Sequence, residues 1–363
     1  VIPFLPGTHV LDLSQYLPGP FATRMLGDLG ADVVKVEPPA GDPLRHLDPE
    51  GKQGSSPFYE LINAGKRVIV LDLKTPAGHE AFARLVRRAD VLLESFRPGV
   101  LDRLGFGPDA LQDLNPRLIH CALSGFGQTG PWRLVSGHDL GYVAMTGLLS
   151  GCGSAETPVM PFPPMADHAG AMQAVVAILG ALIAREQSGK GCFLDVSMME
   201  SLLLWQAPAM TLPPRRAEGV INGGAAFYQI YRTADDRFAS LSPLEAKFWA
   251  NFCNAVGRPE WIRRQFEPMP QHALIGELAT LFRSRPLADW DALLGSADCC
   301  YQAVLDYAEV ADHPHIRERG LVARHGRITE VLCPVVVDGT PPSPRRPVLD
   351  ASVEEVQVSW GAA

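Results

Sequence analysis

The chain has 363 residues, of which 47% are apolar and 20% charged, and a formal net charge of −8. That length exceeds what a single hydrophobic core usually organises, so two domains are expected. The composition is that of a globular enzyme, and the acidic balance excludes a basic nucleic-acid binder while leaving room for a local patch of cations.

Reading from the start, short β-branched runs predict strands at 8–14 (THVLDLS), 31–37 (ADVVKVE), 67–73 (RVIVLDL), 90–96 (DVLLESF) and 118–124 (LIHCALS). Helical patterns lie between them. The segment 20–30 begins with Pro and ends with Gly, and 75–90 gathers Phe82, Leu85 and Val86 on one face with basic residues near its end. Strands alternating with helices predict βαβ units and an α/β, doubly wound, mostly parallel sheet. Ligands bind such sheets beyond the carboxyl ends of the strands, so the loops after Ser14, Glu37, Leu73, Phe96 and Ser124 are where a site is expected.

Further along, PPMADHAGAMQAVVAILGALIA (163–184) carries an apolar run from Ala169 to Ala184. The run is shorter than the ~20 residues of a membrane span and predicts a buried helix. Asp167 stands just before it, as a helix N-cap does, or as a reactive carboxylate. CFLDVSM (192–198) predicts another strand and 199–210 another helix. The stretch 206–224, with its paired Pro, Arg and Gly, reads as a linker between a large domain (1–205, rejoined by 311–363) and a small one (225–310). The Pro-rich segment 339–350 reads as extended surface chain.

The seven cysteines (Cys121, Cys152, Cys192, Cys253, Cys299, Cys300 and Cys333) are odd in number and show no CxxC. Neither a disulfide framework nor a metal site is expected from them, and most read as small buried hydrophobes. With no secretory signal pattern, a reducing, cytoplasmic compartment is the expectation.

GFGQTG (125–130) matches GxGxxG literally, but it follows a late strand and runs into Pro131 and Trp132. The dinucleotide fingerprint belongs after the first strand and opens a helix. A loop beside a ligand is the better reading. Gly19, at the mouth of the first strand, gives a ligand access to the backbone, and Lys66, Arg67, Lys74, Arg97 and Arg103 lie near strand ends as candidate phosphate contacts.

Taken together, DLSQYLPGPFATRMLGDLGADVVKVEPPAGDPLR (12–45), KRVIVLDLKTPAG (66–78), ESFRPGVLDRLGFG (94–107), NPRLIHCALSGFGQTGP (115–131) and GKGCFLDVSMMES (189–201) resemble the class III CoA-transferase (CaiB/BaiF) family. The resemblance resumes at YRTADDRFASLSPLEAKFW (231–249) and VLDYAEVADHPHIRERG (304–320). It implies a Rossmann-like domain, a smaller α/β domain and an intertwined homodimer. It further implies an acyl-CoA thioester as partner, coenzyme A entering as part of the substrate, and no prosthetic group, nucleic acid or membrane. Leu17, Leu71, Asp72, Leu73, Lys74, Ser95, Phe96, Arg97 and Arg103 match the family's CoA-binding segments, and Asp167 its catalytic aspartate.

Two chemistries occur in that family. In its transferases the aspartate attacks the thioester and carries CoA to a second acid. In its racemases the aspartate is one of two bases flanking the α-carbon. His138, in SGHDLGYVAMTG (136–147), matches the racemases' histidine, and Glu245 the glutamate that orients it. Pro163 stands where racemases carry an asparagine, and Leu17 where formyl-CoA transferases carry a glutamine. The preferred expectation is epimerisation of a 2-methylacyl-CoA, with CoA transfer to a carboxylic acid as the alternative. A CoA-binding protein without chemistry is a third reading, against which Asp167 argues.

Overall fold

β-Branched and apolar runs form strands β1 (His9–Leu13), β2 (Asp32–Glu37), β3 (Arg67–Val70), β4 (Val91–Glu94), β5 (Ile119–Ser124) and β6 (Cys192–Ser197). The chain continues through β7 (Gln229–Arg232), β8 (Phe238–Leu241), β9 (Tyr301–Ala303), β10 (Val322–His325), β11 (Ile328–Val331) and β12 (Leu349–Asp350). These come from a computed structural model that describes residues 2–47, 56–326 and 328–361.

Seven of the strands form one sheet in the order β12-β3-β2-β1-β4-β5-β6, and every neighbouring pair is parallel. Helices cover such a sheet on both faces, so its central strands are apolar without alternation, and every residue of β4 and β5 is buried. Leu11 of β1 stands opposite Val34 of β2 and Leu92 of β4, and all three belong to a core with Ile69, Phe82 and Phe106. The order reverses at β1, since β2 and β3 extend to one side and β4 to β6 to the other. A doubly wound sheet opens a crevice at this reversal, beyond the carboxyl ends of β1 and β4.

Two compact units divide the chain. One comprises Val1–Thr146, Phe162–Trp205 and His313–Ala363, and the other Gly147–Pro161 and Gln206–Asp312. The segment 147–161, expected in the larger domain, therefore belongs to the smaller unit, and so does 206–224, expected as a linker. Hydrogen bonds explain both placements: the Arg216 guanidinium donates from Nε to the Ser154 carbonyl at 3.0 Å, and Asn222 Nδ2 donates to the Gly151 carbonyl at 3.3 Å. The smaller unit's own core packs Trp249, Phe252, Phe282 and Trp290 against the antiparallel sheet β7-β8-β9.

The Pro-rich tail runs as the mostly exposed, extended chain expected, and its end joins the sheet. β12 adds in parallel to β3 at the sheet edge. Just before it, the nearly buried Arg345 guanidinium is held between Asp28 and Glu330, which fixes the path of the tail.

The helix Met165–Ser188, at 24 residues, is longer than the apolar run it contains. By length and composition it could cross a membrane, but Ala166, Ala169, Gly170, Ala174 and Ile178 are buried. Gly170 is required at its contact with the next helix: a Cβ there would fall 2.6 Å from Met198 Cγ and 3.0 Å from Met198 Cα.

Candidate active site

The Met165–Ser188 helix follows Pro164, so Asp167 stands inside its first turn rather than at the N-cap. The cap comes from elsewhere. Oδ1 of Asp139 accepts the backbone N–H groups of Ala166 at 2.6 Å and of Asp167 at 3.1 Å. Asp139 opens the helix Asp139–Met145, and His138 is that helix's N-cap residue, with an exposed side chain. The dipeptide His138-Asp139 thus binds one candidate base to the helix terminus that carries the other. A turn further on, the Tyr142 hydroxyl donates to the Gly137 carbonyl at 2.7 Å and secures the loop before His138.

His138 and Asp167 both line a cleft of about 710 Å³, together with Tyr16, Arg97, Phe126 and Arg133. A carboxylate in the first turn of a helix is ordinarily favoured in its charged form. Here burial outweighs that effect, and with the negative charge of Asp139 beside it the Asp167 carboxyl is pushed up to about 6. Burial and, next, Asp167 also raise the Tyr142 hydroxyl above its usual range. His168, the neighbouring basic group, is turned away from this chemistry. Its Nδ1 donates to the Pro164 carbonyl at 2.6 Å, and its ring meets Phe21 edge-on at 5.0 Å.

The cleft continues along the strand ends. Gln15 and Phe96 are shared with a hollow of about 220 Å³ walled by Leu71, Asp72, Leu73 and Leu104. Leu73, Lys74 and Leu104 are shared in turn with a third hollow of about 390 Å³, where Arg103 and His79 stand. The three run in series past the carboxyl ends of β3, β2, β1, β4 and β5, across the point where the sheet order reverses. A long ligand with an anionic end at Lys74 and Arg103 and a reacting end at Asp167 would follow this track.

Of the residues the sequence singled out, Asp167, His138, Ser95, Phe96 and Arg97 line the cleft, and Leu71, Asp72, Leu73, Lys74 and Arg103 its extensions. Ser95 Oγ accepts from the Gln15 N–H at 3.2 Å, and Asp72 Oδ1 from the Lys74 N–H at 3.0 Å, so both also shape the loops they sit on. Leu17 does not line the groove. Its side chain packs on Leu44, Tyr59 and Ile62, while Gln15, Tyr16 and Pro18 face the cleft. Glu245 belongs to the other unit, where it is the exposed N-cap residue of the helix Ala246–Ala255.

Two of the candidate phosphate contacts are ruled out by position. Lys66 is 1% exposed and donates to Asp12 Oδ2, the Pro20 carbonyl and Asn63 Oδ1, each at 2.9 Å. Arg67 donates to Asp32 and Ser359 at the opposite, amino end of β3. The GFGQTG loop leaves the carboxyl end of β5 and gives Gly125 and Phe126 to the cleft wall, and its Gln128 N–H is anchored on Asp195. Gln15, Tyr16, Arg133, Asp139 and Tyr142 escaped the sequence reading. Of these, Asp139 left a signal, since an Asp directly before the apolar turn LGYVAM suits a helix start.

The profile of CoA-transferase family III matches residues 5–351. The chain is 35% identical to alpha-methylacyl-CoA racemase from Homo sapiens, over 98% of this chain and 93% of that protein. It is 34% identical to acetyl-CoA:oxalate CoA-transferase from Acetobacter aceti, over 94% and 91% of the respective chains. Among solved structures, a CAIB/BAIF family protein from Brucella suis superposes with a TM-score of 0.84 at 27% identity, covering 98% of this chain and 99% of that one. With its six-strand Rossmann-like order, extended by β12, and this match along nearly its whole length, the chain belongs to CoA-transferase family III, whose members include acyl-CoA racemases and CoA-transferases.

Proposed function

We propose that the protein epimerises the α-carbon of a 2-methylacyl-CoA thioester, with Asp167 and His138 as the two bases. The observation that carries this reading is the pairing itself: a carboxyl raised to about 6 and an imidazole in one cleft, tied through Asp139. A carboxyl raised in this way, facing the same cleft as an imidazole, suits a proton removed and returned in one turnover. In one direction the carboxylate of Asp167 takes the α-proton, leaving the electron pair in an enolate on the thioester oxygen. Imidazolium His138 then delivers a proton to the opposite face. Each base ends in the other's starting protonation state, so turnover of the opposite enantiomer restores them.

The three hollows at the strand ends support a coenzyme A carrier lying along them, its phosphates toward Lys74 and Arg103 and its thioester at the Asp167 end. Coenzyme A enters only as part of the substrate. Orientation of His138 by Glu245 and an intertwined homodimer belong to the same proposal through the family resemblance, and a cytoplasmic location through the scattered, unpaired cysteines.

Exchange in heavy water tests it. A 2-methylacyl-CoA incubated without any acceptor acid takes up deuterium at the α-carbon, and Asp167→Asn or His138→Ala stops the uptake. If no deuterium enters while CoA appears on an added carboxylic acid, the protein is a transferase and the epimerase reading fails. The similarity to acetyl-CoA:oxalate CoA-transferase supports that alternative, in which Asp167 attacks the thioester carbonyl and becomes acylated as CoA leaves.

A further inference from the structure

At the opposite, amino-terminal edge of the seven-stranded sheet lies a cavity of about 240 Å³ lined by Arg24, Asp28, Asp32, Lys66, Arg345 and Arg346. Asp32 begins β2, Lys66 precedes β3, and Arg345 and Arg346 stand on the tail leading into β12. It is therefore separate from the cleft at the carboxyl ends.

Most charges in this cavity are already matched. Lys66 is bound to Asp12 at 2.9 Å. Arg345 is held by Asp28 and by Glu330. Asp32 accepts from Arg67 Nη2 at 2.6 Å and from the Trp360 indole at 2.8 Å. That leaves two guanidiniums with no carboxylate bonded to them among the described residues. The Nε–H of Arg24 is buried and has no acceptor, and its Nη1 reaches only the Leu61 carbonyl at 3.3 Å. Arg346 is exposed, and among the described residues only its backbone carbonyl is engaged, by the Gly65 N–H at 2.7 Å.

A buried donor without a partner is rare and costly, and a polar cavity beside it marks where a partner fits. Burial, reinforced by the like charge of Arg345, pushes the Arg24 guanidinium down to about 10. An anion in the cavity would relieve both penalties, and the planar fork of a guanidinium matches tetrahedral oxyanions two bonds at a time. We propose that this cavity binds a small oxyanion of the phosphate class, held by Arg24 and Arg346. Because Arg345 and Arg346 hold the tail that supplies β12, the bound anion fastens that tail to the sheet.

Titration with inorganic phosphate against chloride at matched ionic strength tests the assignment on the whole chain, read by calorimetry and by thermal unfolding. Phosphate also has cations to find at Lys74 and Arg103, so the comparison uses two sets of variants. Arg24→Met and Arg346→Met each weaken phosphate binding by about tenfold or more, the loss expected for a charge-assisted bond. The double variant Lys74→Met/Arg103→Met keeps the phosphate-dependent rise in melting temperature. Unchanged phosphate affinity in Arg346→Met, whose exposed side chain can be replaced without unfolding the protein, overturns the proposal. So does loss of the effect in Lys74→Met/Arg103→Met alone, or no binding by the wild type.

Discussion

Asp139 and Asp167 share one helix terminus: the Asp139 carboxylate accepts the Asp167 backbone N–H at 3.1 Å. The carboxylate that caps the helix also sets its negative charge against the Asp167 carboxyl, which burial has already raised. Cap and carboxyl are thereby coupled, and replacing the cap tunes the carboxyl that the proposal makes a base. Asp139→Asn keeps an oxygen for the two N–H groups but removes the charge. The acidic limb of the kcat/KM profile of the exchange reaction should move to lower pH. Asp139→Ala removes the cap as well and should cost about 1 kcal/mol of stability, measured by denaturant unfolding. An acidic limb that stays in place in Asp139→Asn would show that Asp139 acts only as a cap.

The same shift makes Asp167 a burden on the folded state. Its carboxyl titrates near 3.8 when unfolded and at about 6 in the fold, so the fold holds its proton where the unfolded chain has released it. Stability from this group is therefore present below about pH 4 and is lost as pH rises through about 6. Asp167→Asn escapes that loss. Its melting temperature should exceed the wild type's near pH 8 and match it near pH 4, while exchange falls by ~10²-fold or more. Equal melting temperatures at both pH values would contradict the upward shift.

Beneath the first strand, Lys66 Nζ meets Asp12 Oδ2 at 2.9 Å with both side chains buried. Burial raises the Asp12 carboxyl, but the charges of Lys66 and Lys35 win and hold it well below the usual carboxylate range. Breaking such a pair leaves one charge alone in the interior. Lys66→Met should destabilise the protein by about 3–5 kcal/mol, and Asp12→Leu/Lys66→Met should recover much of that, read by urea unfolding. A mild effect of Lys66→Met alone would mean that the pair is solvated.

Lys66 also shows where the sequence ceased to be legible. Its place beside a strand was readable, but that it enters the interior depends on Asp12, which is 54 residues away. The parallel sheet was readable because each strand is a local β-branched run and each helix carries its own end signals. Asp167 was readable as a helix-start residue, yet its capping partner Asp139 lies 28 residues upstream and no local pattern links them. The tail was readable as surface chain, but its anchor was not, because the nearly buried Arg345 side chain pairs with Asp28, 317 residues earlier. Local chemistry shows in a single sequence, whereas contacts made by chain return do not.

A last pair bridges β4 and β5. Glu94, at the end of β4, and His120, on β5, approach to 4.0 Å between Oε1 and Nε2. Burial pushes the Glu94 carboxyl up to about 7, against the opposing Phe96 N–H bond, and it pushes the His120 imidazole down to about 4. Near pH 6 both are therefore neutral, and their approach is not an ion pair. Neither ring nitrogen of His120 has a hydrogen-bond partner among the described residues, so the ring gains no polar compensation from them. Its folded pKa is depressed, so the stability it permits above about pH 6.5 is lost as pH falls toward about 4. His120→Leu should gain melting temperature over the wild type progressively through that interval, with the difference largest at its acid end. Glu94 acts on the cleft instead, because its Oε2 accepts the Phe96 N–H at 2.6 Å and holds the Ser95–Arg97 loop. Glu94→Leu should raise KM for the thioester more than it lowers kcat, and His120→Leu should leave KM unchanged. If both variants raise KM alike, the loop is held by the pair as a unit and not by Glu94.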